Sequence, residues 1–447
     1  MPLDGGGTKV GRNVDFVGAR VVDPSLALDG IRTVVVRNGT IAALLDRAPA
    51  ASDTSARRID CAGMVLCPGF IDPHVHLREP GDSHKETLAT GLTAAAAGGF
   101  TAVAAMPNTR PPIDDGQRVR QLLRDSAAVA AVRCYPIGAV TVAREGRALA
   151  PLRSMAAAGA VAFSDDGACT TSLKVLFHAA LLAADLPMPF LSHCEDPSFA
   201  GAVIHEGETS DRLGLPGSPS LSEAAIAARD ILVAQTTGKA WHLCHVSAET
   251  TIGVLEWARA QGTRVTAEVT PHHLQCNDEM LSSFDARCRV NPPLRSVQDV
   301  AAMRVAVRRG TISIFASDHA PHSEEEKEAP LSHASPGFSG LEVAVAATFD
   351  ALDGLPLATM VANYSTNVAA LLGVPGGSLQ VGSPADMTAL YLDRPWTVDP
   401  TLFVSKGRAT PFAGRRFKVR PAMTVVGGCV VFNAAAPTQA LPAPAGR

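Results

Sequence analysis

Eight short apolar runs alternate with longer amphipathic segments through the middle of this 447-residue chain. The runs are MVLCPGFIDPHVH, TAVAAMPN, VRCYPIGAV, AVAFSDD, PFLSHCE, AWHLCHVS, RVTAEVTPHH and ISIFASDH. The intervening segments, such as RVRQLLRDSAAVAA and VQDVAAMRVAVRRG, have the period of a helix. Eight β-then-α units in this span predict a (β/α)8 barrel. A doubly wound open sheet is the alternative, but no glycine-rich phosphate loop follows the first run.

Both ends of the chain have a different texture, made of short strand-like pieces separated by turns. Residues 14–66 contain DFVGARVVD and TVVVRNGTIAAL, and residues 377–433 contain GSLQVGSPADMTALYLD and MTVVGGCVVFN. We predict that these two ends pair into one small β-sandwich beside a barrel formed by residues 67–376. The tail, residues 434–447, is rich in Ala and Pro and is expected to be flexible.

The composition argues against several classes of partner. A formal charge of -4 and a pI near 6.4 give no basic excess, so neither nucleic acid nor an anionic membrane is expected as the main partner. No apolar run reaches the length of a membrane span, and MPLDGGGTKVGRNVDF lacks the pattern of a signal peptide. The 9 cysteines include no C-x-x-C pair, which indicates free thiols in a cytoplasmic protein.

Six of the eight runs end in a polar or metal-binding side chain. The carboxyl ends of all strands in a barrel open on one face, where active sites lie, so we expect these side chains to converge. They are His74 with His76, Asn108, Asp165 with Asp166, His193, His245, and Asp318.

His74 and His76 form an H-x-H pair at the end of the first run. Residues i and i+2 of a strand project to the same side, about 6–7 Å apart, so both imidazoles can reach one ion. A lone histidine at a strand end is more often a satisfied polar residue, but here histidines and carboxylates end several other strands too. The set predicts one or two metal ions, which lower the pKa of bound water toward about 7. Asp318, in FASDHAPH, is the natural proton shuttle.

Arg78 and Asn108 point to an anionic substrate. Arg78 shares the strand face of the H-x-H pair, and Asn108 ends the second run. A guanidinium fork and an amide aimed into one pocket suit a carboxylate. The structural alternatives are a salt bridge from Arg78 to Glu79 or Asp82, and a turn at Asn108 after Pro107.

The motif GFIDPHVHLREPG, followed by KET and MPNT, resembles the dihydroorotases of the amidohydrolase superfamily. Further matches follow in the same order along nearly the whole chain: FSDDG, SHCED, CHVSA, VTPHHL, NPPLR, ASDHAPH, PGFSGLE and GSPADMT. H-x-H alone is shared with hydantoinases, allantoinases and ureases, whereas HLREPG together with MPNT is more specific. The resemblance implies a (β/α)8 TIM barrel with a composite β-sandwich. It also implies reversible cyclisation of N-carbamoyl-L-aspartate to L-dihydroorotate in pyrimidine synthesis.

The resemblance further implies a role for each matching residue. The first metal would be held by His74, His76 and Asp318, the second by His193 and His245, with Asp166 bridging the two. Asp318 would also be the general acid and base. Substrate would be bound by His76, Arg78, Asn108, Asn291, His322 and the backbone at Pro336 and Gly337.

Many relatives bridge their metals with a carboxylated lysine, whereas the fourth run here offers Asp165 and Asp166 and no lysine. Register with the family motif favours Asp166, and strand alternation lets only one of the two face the centre. Zn2+ is the expected ion, as one or two per chain, although Mn or Co suits the same ligands.

Other hypotheses remain open at this stage. A sister enzyme, an allantoinase or a hydantoinase, would share the fold and the metal ligands. A non-catalytic dihydroorotase-like partner of aspartate transcarbamoylase would typically lose metal ligands, but all six positions are filled here. An active enzyme could still require that partner. The family also implies a homodimer.

Three of the remaining histidines and one loop also bear on the site. His242 is expected to be structural, whereas His272 and His273 could compete as ligands on physical grounds alone. The stretch SEEEKEAPLSH after the eighth run is expected to be a solvated loop; a lid over the substrate is the alternative.

Overall fold

The N-terminal residues form five strands of one β-sheet. The structure, a computed structural model, describes residues 13–48 and 56–435. The strands are β1 (Val14–Asp23), β2 (Leu28–Arg37), β3 (Thr40–Leu45), β4 (Arg57–Asp60) and β5 (Val65–Pro68). Strand β1 is central, since it pairs antiparallel with β2 and parallel with both β4 and β5.

Eight parallel strands follow and form the predicted barrel. They are β6 (Phe70–Val75), β7 (Phe100–Ala105), β8 (Arg133–Gly138), β9 (Ala162–Phe163), β10 (Phe190–Ser192), β13 (Trp241–Leu243), β14 (Val265–Val269) and β15 (Ile314–Phe315), with a separate short pair, β11 (Ile204–His205) and β12 (Gly217–Ser218), between β10 and β13. A parallel bridge from Val75 to His319 joins β6 to the segment after β15, so the sheet closes. Strands such as FTAVAA are buried along their whole length, as expected for parallel strands covered on both faces.

Thirteen α-helices lie in the parts of the chain that the structure describes. They are α1 (Leu88–Ala97), α2 (Gly116–Val129), α3 (Leu152–Ala158), α4 (Leu173–Leu182), α5 (Glu208–Leu213), α6 (Ser220–Thr237), α7 (Glu249–Ala260), α8 (Pro271–Gln275), α9 (Val297–Arg308), α10 (Glu324–Glu328), α11 (Leu341–Ala351), α12 (Leu357–Tyr364) and α13 (Thr366–Leu372). Several begin at a side chain that accepts a backbone N–H of the first turn, as Thr87, Asp115 and Ser296 do for α1, α2 and α9. None of the helices in the described ranges has the length and apolar character of a membrane span.

The C-terminal strands complete the first sheet. They are β16 (Met387–Tyr391), β19 (Arg420–Val426) and β20 (Cys429–Asn433), with β17 (Trp396–Thr397) and β18 (Arg416–Phe417) as a separate pair. Strand β16 pairs with β5, so the sheet runs β20-β19-β16-β5-β1-β2-β3. Ile41 N donates to Ser383 O over 2.9 Å, which brings β3 back toward the start of β16. The sheet therefore curls around its own apolar core, which includes Phe16, Val34 and Met387.

The structure departs from the predicted boundaries in two places. The run MVLCPGFIDPHVH, taken as one strand, is divided between β5 and β6, which belong to different sheets. The break falls at Gly69, where an added Cβ would lie 2.2 Å from Thr101 Oγ1. Within the predicted C-terminal part of the sandwich, residues 396–417 leave the sheet, and Phe403, Phe412 and Phe417 share an apolar cluster with Phe338. Apart from Ala434 and Ala435, the predicted flexible tail lies outside the described residues.

The curled sheet is attached to the barrel by polar contacts around β16. Asp386 is buried and accepts two hydrogen bonds from Arg133, over 2.6 and 3.0 Å, and one from Gly427 N over 2.7 Å. Thr388 Oγ1 donates to Gly99 O over 2.7 Å and accepts from Phe70 N over 3.0 Å. These contacts fix β6, β8 and the residue before β7 against the sheet.

We expect Asp386→Ala to lower the free energy of unfolding by about 1–2 kcal/mol, because it leaves the half-buried Gly427 N–H and the Arg133 guanidinium without their acceptor. Urea denaturation followed by circular dichroism measures the change. Asp393→Ala, at an exposed position two residues after β16, is the control. Equal midpoints for the two variants would contradict the importance of this contact.

Candidate metal centre

The carboxyl ends of the barrel strands bring the six predicted ligands to one place. His74 lies within β6, and the other five follow the ends of β6, β9, β10, β13 and β15 by one to three residues; they are His76, Asp166, His193, His245 and Asp318. All six are buried. The convergence follows from the fold, because parallel strands of a closed barrel all end on the same face.

One group of atoms surrounds the H-x-H pair. His76 Nε2 lies 3.1 Å from Asp318 Oδ1 and 3.6 Å from Asp166 Oδ2. His74 Nε2 lies 3.4 Å from Asp166 Oδ1 and 3.6 Å from Asp318 Oδ1. Two imidazole nitrogens and two carboxylates therefore face a common point.

A second group adjoins the first through the same aspartate. His193 Nδ1 lies 2.9 Å from His245 Nε2, and these nitrogens are 3.8 and 3.7 Å from Asp166 Oδ1. Asp166 thus lies between two pairs of imidazoles. In the part of the chain that the structure describes, His74, His76 and Asp318 form one group able to share an ion and His74, Asp166 and His245 form another, whereas His193 belongs to no such group.

The chemistry of these donors fits a divalent transition metal. Among the described residues, the buried atoms His74 Nε2 and Asp166 Oδ1 have no hydrogen-bond partner. Buried polar atoms without a partner are costly, and an ion would satisfy both of them. Imidazole and carboxylate ligands suit zinc, and also manganese or cobalt.

Electrostatics keep both carboxylates ionised. Burial opposes ionisation of Asp166, but the imidazoles of His74 and His245 outweigh it and hold the pKa of this carboxyl well below its usual range. Burial of Asp318 is likewise outweighed by the hydrogen bond from His76 and by the nearby imidazole of His74, which lower its pKa. Both side chains are therefore available as anionic ligands at neutral pH.

Asp165 has a different role from its neighbour. Its carboxylate accepts from Val140 N over 2.9 Å, Thr141 Oγ1 over 2.6 Å and Thr170 Oγ1 over 2.7 Å. These contacts anchor the segment after β9, and Asp166 alone of the two faces the imidazoles.

A buried chain of hydrogen bonds orients His74, and we did not predict it from the sequence. His74 Nδ1 lies 2.8 Å from Glu268 Oε1, and the other oxygen of Glu268 lies 3.0 Å from His242 Nε2. His242 Nδ1 in turn lies 2.8 Å from Thr266 Oγ1. A carboxylate at Nδ1 fixes the tautomer that leaves Nε2 free as a ligand. The available signal was a glutamate within the apolar strand VTAEV, because such residues are rarely buried without a partner.

The predicted substrate-binding residues lie around the same end of the barrel. Asn108 Oδ1 is 2.9 Å from His76 Nδ1, so this amide orients a predicted ligand. Asn291 Nδ2 lies 3.4 Å from His193 Nε2 and donates to Glu195 Oε2 over 2.8 Å. Glu195, which we did not predict, also lies 2.9 Å from His193 Nε2.

Arg78 lies beside His322 and does not pair with the acids next to it in sequence. Its Nη2 is 3.2 Å from His322 Nε2, and its Nε donates to Pro321 O over 3.1 Å. Glu79 instead accepts from Leu88 N over 2.7 Å. His322 Nε2 is also 2.9 Å from Pro336 O, so Arg78, His322 and the Pro336 backbone form one cluster.

His273 is occupied at both ring nitrogens, whereas His272 contacts Thr270 through Nε2 and its buried Nδ1 has no hydrogen-bond partner among the described residues. His273 Nδ1 and His272 Nε2 lie 2.8 and 3.1 Å from Thr270 Oγ1, and His273 Nε2 lies 3.1 Å from Pro292 O. In the described part of the chain, neither belongs to a group of side chains able to share one ion.

A family model and two curated relatives agree on the family to which this chain is similar. Residues 63–251 match the family described as Dihydro-orotase-like. The dihydroorotase of Pelotomaculum thermopropionicum is 45% identical over 421 residues, which are 93% of this chain and 97% of that protein. The dihydroorotase of Syntrophus aciditrophicus is 40% identical over 419 residues, which are 93% of this chain and 98% of that protein.

Solved structures of related enzymes share the fold. The L-hydantoinase (dihydropyrimidinase) from Arthrobacter aurescens superposes with a TM-score of 0.83 at 25% identity, covering 94% of this chain and 95% of that one. The dihydropyrimidinase from Brevibacillus agri gives a TM-score of 0.82 at 21% identity with the same coverage, which supports the fold alone. The predicted (β/α)8 barrel with an additional β domain is confirmed.

We expect Glu268→Gln to weaken binding of a divalent ion by about 10–100-fold, because an amide holds the Nδ1–H of His74 less firmly than a carboxylate does. Metal affinity is measured by competition with a chromogenic chelator, and metal content by elemental analysis. His74→Ala should lower metal content further. Glu249→Gln, at an exposed position, is the matched control. Unchanged affinity in Glu268→Gln would exclude the orienting role of the hydrogen-bond chain.

Proposed function

The chain belongs to the dihydroorotase family and is a cyclic amidohydrolase, and on that premise we propose that its six-residue cluster is a metal centre that interconverts N-carbamoyl-L-aspartate and L-dihydroorotate. In the hydrolytic direction, the oxygen of water forms a bond to a ring carbonyl carbon, and the bond from that carbon to the ring nitrogen breaks. The proton lost by water ends on the leaving nitrogen. Cyclisation is the reverse.

One observation carries this proposal: a guanidinium is fixed beside the imidazole–carboxylate cluster. Arg78 is two residues from His76 and makes its contacts to His322 and Pro321. A cyclic amide without a side-chain carboxylate gives such a cation no partner. Dihydroorotate carries a carboxylate on its ring, and an arginine fork binds a carboxylate well.

We propose zinc as the ion, one or two per chain, held by the six residues named above, with Asp166 shared between two positions. Bound there, a divalent ion lowers the pKa of water and polarises the amide carbonyl. The buried side chains around it exclude bulk water, which strengthens every charge–charge interaction in the site.

Asp318 is proposed as the residue that moves the proton. Its carboxylate oxygen Oδ1 lies 3.1 Å from His76 Nε2, at the edge of the cluster. An ionised carboxylate can accept a proton from water and then donate it to the nitrogen that leaves the carbonyl carbon. The low pKa of Asp318 makes it anionic at the start of the cycle.

The remaining predicted residues are proposed to orient the substrate. Arg78 and His322 bind the ring carboxylate, and the amides of Asn108 and Asn291 bind polar atoms of the ring. Gly337 has φ of +120°, and a Cβ there would lie 2.7 Å from Ala320 O, so only glycine allows this close approach of the backbone.

A hydantoinase or allantoinase activity is the rival assignment, since the structural neighbours named above are an L-hydantoinase and a dihydropyrimidinase. The position of Arg78 and the higher identity to dihydroorotases favour dihydroorotate. A non-catalytic partner of aspartate transcarbamoylase is disfavoured because all six ligand positions carry competent donors. A homodimer, a complex with aspartate transcarbamoylase and a cytoplasmic location are further proposals drawn from the family. Sedimentation of the purified chain with and without that partner tests the assembly.

We expect Asp318→Ala to lower kcat for dihydroorotate hydrolysis by about 10²–10⁴-fold, because the proton transfer loses its carrier. Metal content should fall only in part, since the other five donors remain. The rate of ring opening is followed by ultraviolet absorbance and metal by elemental analysis, with Asp353→Ala as an exposed control. Normal turnover in Asp318→Ala would remove this residue as the proton shuttle.

We expect Arg78→Met to raise KM for dihydroorotate by about 10–100-fold, because one charge-assisted contact to the carboxylate is lost. Dihydrouracil, which has the same ring without the carboxylate, is the comparison compound that shows whether the lost contact is to the carboxylate. The assignment of dihydroorotate as the substrate is wrong if Arg78→Met has the same KM and kcat for dihydroorotate as the wild type.

A further inference from the structure

The charged segment after β15 is folded onto the barrel. Although its sequence, SEEEKEAPLSH, is that of a solvated loop, Lys327 and Leu331 are buried, while Glu324 and Glu325 are exposed. The segment contains α10, which begins at Ser323 with reciprocal hydrogen bonds between Ser323 and Glu326. Its two inward-facing charges, Glu326 and Lys327, lie next to the residues proposed to bind the substrate carboxylate.

Lys327 makes three hydrogen bonds, all to backbone carbonyls. Its Nζ donates to Ser335 O and Gly337 O over 2.8 Å each, and to Arg289 O over 3.3 Å. Gly337 N in turn donates to Arg289 O over 2.9 Å. An ammonium group has three donors, so the charged form of Lys327 satisfies all three carbonyls, whereas the neutral amine has one donor fewer.

Glu326 connects this segment to two other loops. Its Oε2 lies 3.1 Å from His322 Nδ1, and its Oε1 lies 2.8 Å from Lys85 Nζ. With Nδ1 occupied, only the Nε2 edge of His322 faces Arg78 and the Pro336 carbonyl. Glu326 therefore fixes the orientation of His322, and the ion pair to Lys85 fixes Glu326.

We propose that Glu326 and Lys327 are positioning residues, which hold His322 and the Pro336–Gly337 backbone in the geometry that receives the carboxylate of the substrate. The inference rests on the proposed function and extends it, since it identifies what determines selectivity for an acidic ring. Neither side chain touches the imidazole–carboxylate cluster, so each acts through the residues it holds. The segment is a fixed wall of the binding site.

The charge of Lys327 makes the binding of substrate at this segment depend on pH. Burial and the nearby Arg289 lower the pKa of Lys327 to about 8, against the weaker opposing effects of Cys288, Asp285 and Glu326. Above that pH the lysine becomes neutral and loses a donor to the three carbonyls. The KM for dihydroorotate should therefore rise above about pH 8 in the wild type.

The test compares Lys327→Met, Lys327→Arg and Glu326→Gln with the exposed control Glu325→Gln, using zinc-loaded full-length protein. We expect Lys327→Met and Glu326→Gln to raise KM for dihydroorotate by about tenfold while kcat changes less than about twofold, because binding is lost equally from ground and transition states. Kinetics with dihydrouracil, as substrate or as competitive inhibitor, should not change. Lys327→Arg keeps its positive charge at high pH. Its KM for dihydroorotate should equal that of the wild type at neutral pH and should not rise above about pH 8.

The outcomes separate this inference from the proposed function. If the wild type does not hydrolyse dihydroorotate, the proposed function fails. If the wild type is active and KM for dihydroorotate is unaltered in both Lys327→Met and Glu326→Gln, the positioning role alone is overturned. An equal loss with dihydrouracil would also overturn it, since a general structural defect does not discriminate between rings with and without a carboxylate. Glu326→Gln keeps the test decisive should Lys327→Met fail to fold.

Discussion

The buried negative charge of Asp166 is the constraint on which the rest of the site depends. A carboxylate removed from water is tolerated only when opposite charges or ligand atoms surround it. Here His74, His193 and His245 approach one of its oxygens within 3.8 Å, and His76 approaches the other within 3.6 Å. These imidazoles come from three different strand ends, so the barrel must close correctly before the charge is compensated. Correct folding and assembly of the metal centre are thus the same event.

Backbone geometry at the site shows that the fold holds some residues in unfavourable conformations. Arg78, His245 and Asp318 have φ values of +61°, +33° and +48°, a region that side chains other than glycine seldom adopt. All three follow the end of a barrel strand and turn the chain away from it. Such conformations persist only where surrounding contacts over-determine them, as the buried hydrogen bonds and close packing here do.

The parts of the structure that could be predicted from the sequence are those encoded locally. The alternation of apolar runs and amphipathic segments specified the barrel, and the polar residues ending the runs specified which side chains would converge. The orienting chain through Glu268 and His242 could not be deduced, because it joins side chains from β6, β13 and β14, which are far apart in sequence and whose relative positions are set by tertiary packing. The division of MVLCPGFIDPHVH between two sheets falls at Gly69, against which Thr101 packs, and this contact between residues distant in sequence leaves no local pattern. Lys327 looked like a solvated charge because its three acceptors are backbone carbonyls, of Arg289, Ser335 and Gly337, which no side-chain pattern in the sequence reveals.

The curled sheet has a consequence for how the protein is made. Strand β5 lies between β1 and β16, and β16 begins at Met387, after the whole barrel has been synthesised. A nascent chain still on the ribosome can therefore build barrel units in order, but one edge of β5 stays open until the last part of the polypeptide emerges. An open edge can pair with strands of other chains. The interval between barrel formation and release is thus when this protein is most exposed to aggregation, and when a chaperone that covers strand edges has most to contribute.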